Sequence, residues 1–310
     1  MFVLAHLSDP HIPPRTPPVL RSLVSKRILG WANWQRGRKH VHRRPVLDAL
    51  TAAVRTHGPD HIAVTGDLAI VSTPGEWADG RAWLDGFAAP DTLSLIPGNH
   101  DAYARGALAG ALSAWDPYLR GDHQESRGPA RFPYLRRRGP VAIIGCSSAV
   151  VTPPFIATGR LGAPQLDALD KALAGAADDG LFRVVLIHHP PLAFPGDAHR
   201  RLTDRDSVRD ILASRGAELV LHGHEHTESL GWAPGPQQPV PVIGVPSASA
   251  EAHGHWPAAG YNLYEITGRP GGWDCTMRRF GLRADGFAET ETTQLYRSGQ
   301  PNTQATASSR

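Results

Sequence analysis

Eight side chains able to bind a cation or move a proton stand just beyond short apolar runs. Asp9 and His11 follow Phe2–Leu7, Asp67 follows His61–Thr65, and Asn99 and His100 follow Leu93–Ile96. His188 follows Val184–Ile187, and His224 and His226 follow Leu219–Leu221. Carboxylate, imidazole and amide oxygen together suit divalent ions such as Mn²⁺, Fe²⁺ or Zn²⁺. None of the eight is a cysteine, which disfavours a structural zinc site. Asp9 and His11 are two residues apart, as are His224 and His226. On an extended strand end such pairs point to one side, so each pair can offer two ligands to one cation.

Something must hold these groups in place. The apolar runs end abruptly in turn residues and read as buried strands. Helical stretches alternate with them at Val46–Thr56, Glu76–Phe87, Pro164–Ala174 and Ser207–Ser214, and Val141–Ser147 adds another strand. Alternation of this kind predicts an α/β fold. In such folds ligands bind beyond the carboxyl ends of the strands, where all five polar clusters fall. After Val240 the helices stop, and Val240–Val245, Tyr261–Ile266 and Trp273–Phe280 read as strands completing a second sheet packed on the first. A single domain over residues 1–296 is expected. Residues 297–310, rich in Ser, Thr and Gln without apolar periodicity, read as a disordered tail.

In order, Asp9-x-His11, Gly66-Asp67, Gly98-Asn99-His100-Asp101, His188 and Gly223-His224-x-His226 resemble the calcineurin-like metallophosphoesterases, over roughly residues 2–227. The resemblance implies a two-sheet β-sandwich flanked by helices, four layers in the order αββα. It also implies roles. Asp9, His11 and His226 would hold one metal, Asn99, His188 and His224 a second, and Asp67 would bridge the two. His100 would be catalytic and not a ligand. Two divalent ions (Mn, Fe or Zn) would neutralise a phosphodiester, and a hydroxide bridging them would attack it. His100 would then protonate the leaving oxygen as general acid. Asp101 is left with two roles, orienting the His100 ring or capping the following helix. Of the adjacent His188 and His189, the pattern of apolar residues followed by His selects His188 as ligand, with His189 behind it or lining the pocket. His222 reads as a packed residue and His6 as a core histidine. His253 and His255 sit in a Gly/Pro/Ala-rich loop that would either line the pocket or lie in solvent.

Residues 15–44 carry nine Lys or Arg and no acid, with Leu20, Leu23, Val24, Ile28 and Trp31 at helical spacing and Trp34 following. This insertion has three readings: a basic helix packed on the core, a cap whose arginines bind phosphate, or a contact with an anionic membrane surface or lipid substrate. A second basic stretch, Arg127 to Arg138, holds five arginines. Contact with nucleic acid would use such charge, but no recognisable nucleic-acid fold supports it.

The remaining features bound the class. With 310 residues, 41% hydrophobic and 20% charged, the chain can bury a large core, and a net charge of +3 selects no partner. Cys146 and Cys275 lie in apolar runs and read as reduced, buried thiols. No secretory leader is visible, nor any apolar run of about 18 residues, so a cytoplasmic location is expected. The bacterial branch of the family that includes cyclic-nucleotide phosphodiesterases is the resemblance favoured for the activity. The alternatives are a diphosphatase acting on a nucleotide-linked lipid precursor, a phosphomonoesterase, a nuclease, or a non-catalytic scaffold. A scaffold predicts missing ligands, and here the set is complete.

Overall fold

Strict alternation in the first strand sets the architecture. Ala5 and Leu7 pack toward helices on one side, while Phe2 and Leu4 face a second sheet on the other. The computed structural model describes residues 1–124, 128–194, 196–254 and 256–305. In chain order its elements begin with β1 (Phe2–Leu7), α1 (Arg27–Asn33), α2 (Lys39–Val41), α3 (Arg44–Thr56), β2 (His61–Val64), α4 (Pro74–Phe87), β3 (Leu93–Leu95), α5 (Ala107–Trp115), β4 (Tyr134–Arg138) and β5 (Val141–Gly145). They continue with α6 (Ala163–Asp178), β6 (Phe182–Leu186), α7 (Arg205–Arg215), β7 (Leu219–His222), β8 (Ser229–Ala233), β9 (Val240–Gly244), β10 (Gly260–Thr267), β11 (Asp274–Arg283), β12 (Gly286–Arg297) and β13 (Gln300–Pro301).

Two sheets stack face to face. One has the order β13-β12-β11-β10-β1-β2-β3 and the other β4-β5-β6-β7-β9-β8. Between them lie Leu4, Ile143, Val184, Leu221, Tyr264 and Met277. Leu47, Leu50, Trp83, Phe87 and Trp115 of α3, α4 and α5 cover the outer face of the first sheet. Leu169 and Leu173 of α6, with Val208 and Leu212 of α7, cover the second. The result is the expected αββα sandwich. Both cysteines are buried and unpaired.

The C-terminal strands depart from expectation. β9 joins the second sheet beside β7, but β10 pairs antiparallel with β1 and carries β11 and β12 into the first sheet. Their apolar pattern shows that they are strands, yet the open edge of β1 decides where they go. The residues read as a tail also begin with structure. β12 runs to Arg297, and Gln300 and Pro301 pair back onto it. Residues 306–310 lie outside the described residues, as do Arg127 and His255.

The second basic stretch is structural where it is described. The Arg136 guanidinium is buried and donates to the carbonyls of Pro90, Leu93, Pro117 and Arg120 at 2.6–3.0 Å. Nearby, His61 in β2 shares a 2.8 Å hydrogen bond with Ser94. Burial, then the charges of Arg136 and Arg138, lower its pKa to about 3. The unfolded chain takes up this proton below about pH 6.5 while the folded chain does not. The stabilisation is therefore complete above pH 6.5 and shrinks as pH falls toward 3. Between pH 7 and pH 5 the wild type should lose about 2 kcal/mol more than His61→Gln. Urea unfolding of both proteins at both pH values checks this, and parallel losses would refute it.

Candidate metal centre

The loop after β2 organises the site. Its Thr65, Ala69 and Ile70 carbonyls meet Nδ1 of His188 at 2.7 Å, His11 at 3.2 Å and His100 at 2.6 Å. Carbonyls only accept, so each ring carries its proton on Nδ1 and turns Nε2 inward, the usual arrangement behind metal-binding imidazoles. The loop is itself held from below. Glu76, in the first turn of α4, accepts the N–H groups of Ile70 and Val71 at 2.6 and 3.1 Å and that of Thr73 at 2.8 Å.

Asp9, His11, Asp67, Asn99, His100, His188, His224 and His226 do converge. The first sheet supplies five of them beyond β1, β2 and β3, and the second supplies three beyond β6 and β7. His226 Nε2 lies 3.1 Å from both Asp9 Oδ1 and His11 Nε2. Asn99 Oδ1 lies 3.1 Å from His188 Nε2 and 2.9 Å from His224 Nδ1. Asp67 Oδ2 stands between these groups, 3.9 Å from His11 Nε2 and 3.4 Å from His188 Nε2. Its Oδ1 accepts the His100 backbone N–H at 2.7 Å.

Backbone conformation, not strand alternation, aims the paired ligands. Asp9, His11, Asp67, His224 and His226 all have φ between 34° and 70°. Such left-handed non-glycine residues are uncommon and cluster at functional sites. Before Asp67 and His224, Gly66 and Gly223 allow the tight approach: a Cβ on Gly223 would meet Ser8 Oγ and lie 2.5 Å from Asp9 Oδ2.

Electrostatics fit cations. Burial pushes the Asp9 carboxyl up, but His226 and then His188 outweigh it and hold it below the ordinary range. Burial would likewise lower His188, yet Asp67 and Asp9 raise it to about 10. His188 thus carries a proton that a bound cation would displace. Crowded imidazole nitrogens facing two buried carboxylates and an amide oxygen match the donor chemistry of a divalent metal pair.

Asp101 takes neither role left open for it. Its carboxylate accepts the backbone N–H groups of Gly98, Asp67 and Ala69, each at 2.9 Å. It braces the two loops carrying Asp67 and His100 and does not touch the His100 ring. Burial and then Asp67 push its pKa up to about 7. His189 lies behind the site, its ring nitrogens engaged by Ser148 Oγ at 2.7 Å and the Ala157 carbonyl at 3.0 Å. His222 is buried against Gly223 and Ser229, and His6 against Thr65.

The insertion reaches this centre. Leu23 and Trp34 pack on Ile70 and Val71, and a π-helical turn at Trp34–Arg38 presents Arg38 to the cleft. Arg38 Nη1 is 3.5 Å from His100 Nε2. A cavity of about 440 Å³ opens here, walled by Arg38, His42, His100, Arg200, His253 and Trp256. His42, Arg200 and Trp256 escaped sequence reasoning because each lies outside the strand-end clusters. The motifs around Asp9 and His224 have no counterpart beside them; a His-x-His pair, His40 and His42, at the end of a basic segment is the signal His42 offers.

The profile of the calcineurin-like phosphoesterases matches residues 2–228. The chain belongs to that family. It is also 33% identical over 135 residues to a probable cyclic nucleotide phosphodiesterase of Synechococcus sp. (strain WH7803), a match covering 42% of this chain. The chain thus spans about half (47%) of the length of that curated relative. Among solved structures it resembles a dimetal phosphatase from Danio rerio, with a TM-score of 0.61, 12% identity, and coverage of 96% of this chain and 99% of the other. It resembles the purple acid phosphatase PPD1 of yellow lupin (Lupinus luteus) with a TM-score of 0.61, 11% identity, and coverage of 94% and 53%. At such identities these structures speak for the fold alone. No described helix is long and apolar enough to cross a membrane.

Proposed function

We propose that this protein hydrolyses phosphodiesters at a centre of two divalent cations. Asp9, His11 and His226 would hold one cation, Asn99, His188 and His224 the other, and Asp67 would serve both. The observation that carries this reading is the position of Asp67, within 4 Å of a histidine from each ligand set. Bound there, two cations neutralise phosphate charge and supply a hydroxide nucleophile near neutral pH.

The chain's own groups do the rest. Arg38 has no carboxylate within ion-pair distance among the described residues, which leaves its guanidinium for a phosphate oxygen. His100 presents Nε2 beside it, the atom suited to pass a proton to the leaving oxygen. Burial is the largest influence on that ring and lowers its pKa to about 4, so the free ring is neutral. To act as general acid the ring would first take a second proton from solvent onto Nε2. Arg200, held at 3.1 Å by Glu225, and Trp256 flank the cleft where an ester substituent would lie. The likeness to a probable cyclic nucleotide phosphodiesterase supports a diester and a substituent of nucleotide size.

Hydrolysis of bis-p-nitrophenyl phosphate beside p-nitrophenyl phosphate, on Mn²⁺-loaded protein, tests the reading. Preference for the diester is expected, and preference for the monoester would overturn it. His100→Ala should keep both cations. It should slow esters with poor leaving groups by about 10²–10⁴-fold and activated nitrophenyl esters much less. Metal analysis with a leaving-group series checks this, and lost metal would make His100 a ligand.

A second reading, a diphosphatase for a lipid-linked nucleotide, is favoured by one observation. Val19, Leu20, Val24, Ile28 and Leu29 of the insertion are exposed, with Leu20 at 85%. So is Phe155, at 90% and with φ 66°. Lys26 Nζ donates to the Thr152 carbonyl at 2.6 Å and ties the two segments together. Apolar surface set among basic residues suits an acyl chain or an anionic lipid surface. Turnover of a nucleotide-lipid diphosphate exceeding that of the soluble diester would select this reading.

A further inference from the structure

His42 lies in the insertion, outside all five ligand motifs, yet its ring is built into the metal centre. A ligating nitrogen of His42 lies within 4.8 Å of those of His11 and His226. Ring centroids are 4.7 Å apart for His11 and His42 and 5.9 Å for His42 and His226.

The ring is held as a metal ligand is held. Ser247 Oγ donates to the Asp9 carbonyl at 2.6 Å, so its oxygen is left to accept from His42 Nδ1 at 3.3 Å. Ser249 Oγ lies 3.0 Å from the same nitrogen. With its proton on Nδ1, donated toward the two serines, the ring carries its lone pair on Nε2, on the side away from them. Trp34 stacks on the ring at 6.0 Å and 20°. The backbone fixes the segment as well: Arg43 N–H donates to the Ser249 carbonyl and Glu251 N–H to the Val41 carbonyl, both at 2.8 Å. A side chain meant only to fasten the insertion would not need its free nitrogen among two ligand imidazoles.

We propose that His42 is a further protein ligand of the cation held by Asp9, His11, Asp67 and His226. This rests on the two-cation centre proposed above. Five protein donors exceed the four of a tetrahedral zinc site and favour an ion of higher coordination number, such as Mn²⁺ or Fe²⁺. The insertion is then part of the centre, and cation binding and placement of Arg38 are joined through one turn of chain.

The test is cation binding by the full chain, with no substrate present. Calorimetric titration with Mn²⁺ should give two sites in the wild type. In His42→Ala one site should weaken by about 10–100-fold or more, with the other unchanged. Visible absorption of the Co²⁺ form should intensify in the variant as the coordination number falls, and imidazole added to His42→Gly should reverse the change. Should these variants fold poorly, Ser249→Ala keeps the ring but loosens Nδ1 and should weaken the same site by a smaller factor. Two wild-type sites with unchanged affinities and Co²⁺ spectrum in the variants would overturn the ligand role alone. A wild type that binds no cation would overturn both this inference and the centre on which it rests.

Discussion

Asp67→Ala is expected to lower kcat/KM for a phosphodiester by about 10³-fold or more and to leave less than two cations per chain. The argument is positional. Asp67 Oδ2 lies within 4 Å of His11 and of His188, which serve different cations in the proposed centre. Its removal deprives both at once. Charge stabilisation by a bound cation contributes several kcal/mol to such a transition state, and each 1.36 kcal/mol is tenfold in rate. Asp67 Oδ1 also accepts the His100 N–H, so its loss disturbs the proposed proton donor too. Asp67→Asn separates the two effects, because the amide oxygen can still accept that N–H while the charge is gone. Metal content by mass spectrometry beside steady-state kinetics checks the prediction. Full occupancy with undiminished turnover would refute the bridging role.

Gly98→Ala should also be damaging, although it replaces no ligand. A Cβ at Gly98 would collide with Asp67 Oδ1 and lie 2.6 Å from the Asp67 backbone nitrogen. The Asp67 carboxylate must then move, and misplacement by about 1 Å can cost about 10²-fold in rate. Stability should fall by only about 1–3 kcal/mol, the usual cost of overpacking. Gly175→Ala is the control. It lies in α6 with nothing within 4 Å of an added Cβ, so it should be neutral or stabilising by about 1 kcal/mol. Kinetics and thermal melts of the three proteins decide the matter. A Gly98→Ala enzyme with full activity would show that the loops yield more readily than their packing implies.

Much of this centre was legible beforehand because its parts are local. A strand that stops at a polar turn leaves its mark within a few residues, so β1, β2, β3, β6 and β7 and the groups at their ends could be read in order. Residue chemistry also carried across: carboxylates, imidazoles and one amide oxygen announce a divalent cation whatever the geometry. Three-dimensional packing decided what no short window contains. It sent β10 to the free edge of β1, gave Asp101 three backbone N–H groups in place of the His100 ring, and bent Asp9, His11, His224 and His226 into left-handed conformations. It also folded the basic insertion back over the site, so that Arg38 meets His100 across 62 positions of sequence and His42 meets His226 across a still longer interval. Motifs record what a strand end presents. Which distant segments come to share its cleft is set by the closing of two sheets and the loops above them, and that is a property of the whole chain.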